Sequence, residues 1–142
     1  MKTKAVSFLV IFLLVFSALF SLSACSGNAS NEPVVLQGEW KQVNGNTEET
    51  WHEAVIENEE ITVYWVMDEG DTKSLYWAGT FAAPDSSEEP YSWDSENDHD
   101  QTGPALLASG DDTKTFTYEN GELSYSASAM GTTTTVRLKK KD

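Results

Sequence analysis

The chain has 142 residues, nine of them basic and 23 acidic, for a net charge of −14 at neutral pH. That length supports one modest hydrophobic core and not two, and so acidic a surface repels nucleic acid and anionic headgroups, which excludes nucleic acid as a partner. Five Trp, five Tyr and six Phe exclude a disordered acidic polymer, and the single cysteine, Cys25, excludes an internal disulfide.

The chain begins MKTK, with two lysines, and then runs from Ala5 to Ala24 without a charge. A short basic start followed by an apolar run is the layout of a secretory signal peptide. The run also approaches the ~20 apolar residues that cross a bilayer, so an uncleaved membrane helix is the competing reading. Small residues directly before the sole cysteine favour processing, because a plain helix has no use for them there.

Leu22-Ser23-Ala24-Cys25 resembles the lipobox of bacterial lipoproteins. The resemblance implies that the Cys25 sulfur takes a diacylglyceryl group and that residues 1–24 leave as signal peptide. Cys25 would then begin the mature protein as the lipid attachment site, on the extracytoplasmic face of the cell membrane. At about 0.8 kcal/mol for each buried CH₂, a two-chain anchor is stable where one chain is marginal. Loss of Lys2 and Lys4 leaves seven basic against 23 acidic residues, a net charge of −16, so the domain stands off the membrane surface.

Residues 25–33 form the anchor and a small, polar, flexible tether, and residues 34–142 form the domain. Leu36, Gly38 and Trp40 share one side of a first strand, and Trp51–Asn58 reads as a second with Ala54 and Ile56 inward. Glu60–Asp68 is rich in β-branched and aromatic residues, with Ile61, Val63, Trp65 and Met67 on one face. Thr72–Ala83 places Leu75, Trp77, Gly79 and Phe81 together, and the two segments read as a hairpin across a Gly-containing turn. Tyr91 and Trp93 mark a short strand inside an acidic stretch, while Ala105–Ser109 is a strand or one helical turn. Phe116 and Tyr118 precede an Asn120-Gly121 turn, after which Leu123, Tyr125, Ala127 and Ala129 alternate against serines. Gly131 turns the chain into a last strand with Val136 and Leu138 on one face. About eight short strands with no long helix predict an all-β antiparallel meander, closed into a small barrel because closure removes the two unpaired edges.

Gly38-Glu39-Trp40 resembles the G-x-W signature that opens lipocalin-like barrels, and Arg137 matches the place of the terminal-strand arginine that packs over that tryptophan. The resemblance implies a cation–π closure of the barrel end by Trp40 and Arg137, of ~0.5 to 2 kcal/mol. A lipocalin-like barrel is expected on these grounds, shorter than the typical family member.

Trp65, Trp77 and Phe81, with Tyr118 and Tyr125, either line a pocket for an apolar or sugar ligand or fill the barrel as core. Trp51 and Trp93, nearer strand ends, read as exposed contact residues. The candidate ligand-binding set is therefore Trp51, Trp65, Trp77, Trp93 and Tyr125. Carboxylates at Asp94, Glu96, Asp98 and Asp100 alternate as a calcium loop's do, but His99 replaces the required glycine and Ala105 the bidentate glutamate. His52-Glu53 begins an H-E-x-x-H motif that Ile56 breaks, so no metal site is read. No nucleophile elbow or phosphate-cradling loop occurs, and acid pairs such as Glu57 and Glu59 are ordinary in so acidic a chain. The chain reads as no enzyme and needs no cofactor. It reads as a membrane-anchored module for a small ligand or an envelope partner, the alternative being a filled barrel that acts through its surface.

Overall fold

The computed structural model describes residues 32–142, so the signal segment and Cys25 lie outside the described residues. Eight strands follow in order: β1 (Gly38–Gln42), β2 (Trp51–Glu57), β3 (Glu60–Met67), β4 (Thr72–Thr80), β5 (Tyr91–Glu96), β6 (Thr113–Glu119), β7 (Glu122–Ala129) and β8 (Thr132–Lys140). The only helices among the described residues are a 3₁₀ turn at Asp68–Gly70 and the single turn α1 (His99–Thr102), and none there is long and apolar enough to cross a membrane. All strands are antiparallel in one sheet of order β4-β3-β2-β1-β8-β7-β6-β5. The first and last strands pair, Trp40 opposite Lys140, which leaves the sheet's two edges on the consecutive strands β4 and β5.

Those edges meet at one bridge, Gly79 opposite Asn97, and side chains complete the seam. Trp77 Nε1 donates to Ser95 Oγ at 3.0 Å, Trp93 Nε1 to the Thr80 carbonyl at 3.2 Å, and the Glu96 amide to Thr80 Oγ1 at 2.9 Å. A Cβ on Gly79 would sit 2.5 Å from both the Glu96 carbonyl oxygen and Ser95 Oγ, so only glycine lets the strands approach. The result is the expected all-β barrel of eight strands, nearly closed.

The Asn120-Gly121 and Met130-Gly131 turns both place two residues at positive φ, between 52° and 80°, the geometry that matches the right-handed twist of a tight hairpin. Between β3 and β4 the register slips: Val63 faces Trp77 but Tyr64 faces Leu75, which leaves Tyr76 as an extra residue. This bulge corrects the alternation expected for β4. Tyr76 and Trp77 are buried in succession, and Leu75 moves to the outer face and is only half-buried. On β3, Ile61 and Val63 point inward as expected, while Val66 is buried on the outer face, where its cross-strand partner is Trp51. Ala105–Ser109 is neither strand nor helix but a turn, closed by the Ala108 amide on the Ala105 carbonyl at 3.2 Å, with Leu106 exposed.

The core fills one end of the barrel. Trp40, Trp77, Phe116, Ile56, Ile61, Leu123 and Leu138 are fully buried there, with Trp93 stacked on Phe116 at a centroid distance of 5.3 Å. Residues 32–37 cross that end. Leu36 is buried and its carbonyl accepts from Trp40 Nε1 at 2.9 Å, so the chain enters the domain at the closed end.

Candidate functional site

At the opposite end the inward positions change character. Ala127, Ala129, Thr132, Thr134 and Val136 follow the same alternation that carries Leu123, Tyr125 and Leu138 below, but their side chains are too small to fill the lumen. A pocket of about 310 Å³ results. Its rim carries Gln42, Asn46, Thr47 and Thr50 from the β1–β2 segment and Thr132 and Thr134 from the neighbouring β8, and His52 and Trp65 lie at its base. The two rings meet edge-to-face, centroids 3.8 Å apart.

His52 stays in phase with Ala54 and Ile56 along β2, which carries its side chain inward, where it is 1 % exposed. Its backbone amide donates to Gln42 Oε1 at 2.8 Å, tying the strand to the rim. Nδ1 shares a short hydrogen bond with the Tyr125 hydroxyl, whereas Nε2 has no partner among the described residues, and neither does the nearby buried hydroxyl of Tyr76. Burial, helped by the charge of Lys114, lowers the His52 pKa to about 4, so the imidazole is neutral at neutral pH. Burial and then Tyr76 hold the Tyr125 hydroxyl well above its ordinary value, so it keeps its proton. We assign Tyr125 as donor to Nδ1, because the reverse tautomer would leave both the Tyr125 O–H and the Nε2 lone pair without a partner, against one N–H in this one. The imidazole proton then sits on Nε2, a donor with nothing to receive it.

Beside this pair Lys114 is buried. Its ammonium group donates to Asp111 Oδ2 at 3.0 Å and to the Ser126 carbonyl at 3.2 Å, and lies 5.4 Å and 5.2 Å from the ring centres of Tyr76 and Trp77. Lys114 is thereby neutralised inside the barrel wall. The arrangement offers hydrogen bonds and an aromatic surface; it presents no activated nucleophile.

Of the residues proposed from sequence, Trp65 lines the pocket, while Tyr125 is buried outside its lining, and both meet His52. Trp77 and Trp93 belong to the seam and the core, and Trp93 is buried against Phe81 and Phe116 instead of exposed at a strand end. Trp51 lies on the outer face, half-buried, with Lys41 Nζ 4.4 Å from its ring centre and its Nε1 donating to Glu53 Oε1 at 3.1 Å. There Glu53 accepts from Lys73 at 2.7 Å; burial raises its carboxyl pKa, but the bonds from Lys73 and Trp51 and the charges of Lys73 and Lys141 outweigh that and lower it.

Trp40 and Arg137 are not brought together. Arg137 lies between buried Val136 and Leu138 and so faces out, 3.5 Å from Glu122 Oε2, while Trp40 faces in, edge-on to Tyr118. Lys140 is the residue opposite Trp40, its ammonium donating to the Val35 carbonyl at 3.1 Å. The acidic run makes local bonds: Asp94 accepts from Thr115 at 2.6 Å and Asp98 caps α1 through the Asp100 amide at 3.1 Å. Among the described residues no group of three or more His, Cys, Asp or Glu could hold a metal ion. Sequence reasoning weighed His52 only within a broken zinc motif, although its phase with Ala54 and Ile56 was the signal for an inward imidazole. No protein-family model, curated protein or solved structure matches this chain.

Proposed function

We propose that this protein is a lipoprotein anchored through Cys25 on the extracytoplasmic face of the cell membrane, and that its barrel binds a small ligand in the open mouth. The observation that carries the binding reading is an unfilled pocket with an uncharged polar rim, and with His52 and Trp65 in its lining, in a barrel that is otherwise packed with tryptophan and phenylalanine. The lipobox-like Leu22-Ser23-Ala24-Cys25 and the charge of −16 without Lys2 and Lys4 support the placement. The described chain enters the barrel through Leu36, at the end remote from the pocket.

A second reading, an envelope protein that acts through its surface, is supported by the filled core around Trp77, Trp93 and Phe116. The two separate in a small-molecule screen of the purified protein by tryptophan fluorescence and thermal shift. A binding mouth yields a saturable change that Trp65→Phe removes from the fluorescence; a surface protein yields none. For the anchor, a metabolic lipid label is expected on the wild type and absent from Cys25→Ser, which accumulates at higher mass. Labelling that survives the substitution overturns the anchor.

A further inference from the structure

We infer that the mouth pocket is built for an uncharged ring compound bearing hydroxyl or amide groups and one apolar face, a monosaccharide or its N-acetyl derivative, held by the hydroxyls and amides of the rim. This rests on the binding reading above and names its ligand class.

Charge is the first ground. Although 23 acidic residues crowd the sequence, the pocket lining holds no charged side chain among the described residues. The nearest buried cation, Lys114, is already paired with Asp111. An ionic ligand would shed its hydration here and find no counter-charge, a loss that an uncharged polar ligand avoids. An anion would in addition approach against the field of the whole domain.

Polarity is the second. The rim residues are hydroxyls and primary amides, groups that both donate and accept, and they come from the β1–β2 segment and the neighbouring β8. Several such groups within one pocket suit a ring that carries several hydroxyls. At the base the His52 ring closes the pocket, its Nδ1 taken by Tyr125 and its Nε2 buried, so the polar contacts are those of the rim.

Shape is the third. Trp65 is half-buried beside Ala127, Ala129 and Val136, so part of the lining is apolar and aromatic, a surface for the C–H face of a sugar ring. The volume of about 310 Å³ lies at the small end of ligand pockets, ~300–1,000 Å³, and so suits one ring.

The test titrates glucose, N-acetylglucosamine, glucuronate, protonated glucosamine and indole into the full protein, held in a detergent without a sugar headgroup and followed by saturation-transfer NMR. At least one neutral sugar is expected to bind saturably, with glucuronate and glucosamine at least tenfold weaker. Ala129→Trp, which fills the rim from an exposed position, is expected to abolish the binding, and Thr134→Ala, which removes a rim hydroxyl, to weaken it several-fold. Charged analogues that bind as tightly as their neutral parents, or indole alone binding in an Ala129→Trp-sensitive way, overturn the ligand class and leave the pocket standing. No saturable binding by any of the five overturns both.

Discussion

The two ends of this barrel are made from the same eight strands, yet they solve opposite problems. At the closed end every large ring with a polar atom finds a partner: Trp40 bonds the Leu36 carbonyl, Trp77 bonds Ser95, and Trp93 bonds the Thr80 carbonyl. At the open end His52 and Tyr76 keep buried polar atoms without one. Closing a barrel needs volume and satisfied hydrogen bonds, whereas a mouth left open needs small side chains and polar groups at its rim. On the proposed reading, stability and binding are placed at opposite ends of one sheet.

Mutations and pH test that contrast. The largest effect is expected at the closed end, where Trp40→Ala removes a fully packed ring and should lower unfolding free energy by about 3–5 kcal/mol in a denaturant titration. Next comes acid sensitivity at the open end. The His52 pKa falls from 6.5 unfolded to about 4 folded, so between these values the unfolded chain binds the extra proton. Stability from this residue is complete above pH 6.5 and declines toward pH 4, by roughly 3 kcal/mol in all, and His52→Phe should flatten that slope. The lowered carboxyls of Glu53 and Asp111 act at more acid pH, below their ordinary 4.5 and 3.8, so the two windows separate.

A smaller effect of opposite sign is expected for Tyr76→Phe, which deletes an unpartnered buried hydroxyl and should raise stability by about 1 kcal/mol. A loss instead would show that this hydroxyl is satisfied, and the contrast between the ends would weaken. The smallest change belongs to the rim, where Thr134→Ala should shift unfolding by no more than about 0.5 kcal/mol while altering ligand binding. A loss as large as that of Trp40→Ala would mean that the mouth is core.

Much of this was legible along the chain. The Asn120-Gly121 turn and the alternation of Leu123, Tyr125 and Ala127 locate β7 and its inward face, and Ala54 and Ile56 do the same for β2. The outward position of Arg137 follows from the alternation that puts Val136 and Leu138 inside; the family resemblance pointed the other way and the pleat prevailed. The bulge at Tyr76 was not legible, because a register slip depends on the partner strand and leaves no local mark. Nor was the burial of Trp93, whose position near a strand end suggested exposure until the seam with β4 covered it.

The all-β fold, its strands and most of their inward faces could be read from residue order, since the period-two pleat and the turn residues act locally. Tertiary structure alone decided where the barrel closes, which aromatic rings are core, and that His52, not the tryptophan set as a whole, marks the pocket. Those outcomes depend on which atoms from distant strands meet. Whether a buried nitrogen is satisfied is a property of its neighbours in space, and the chain order does not contain it.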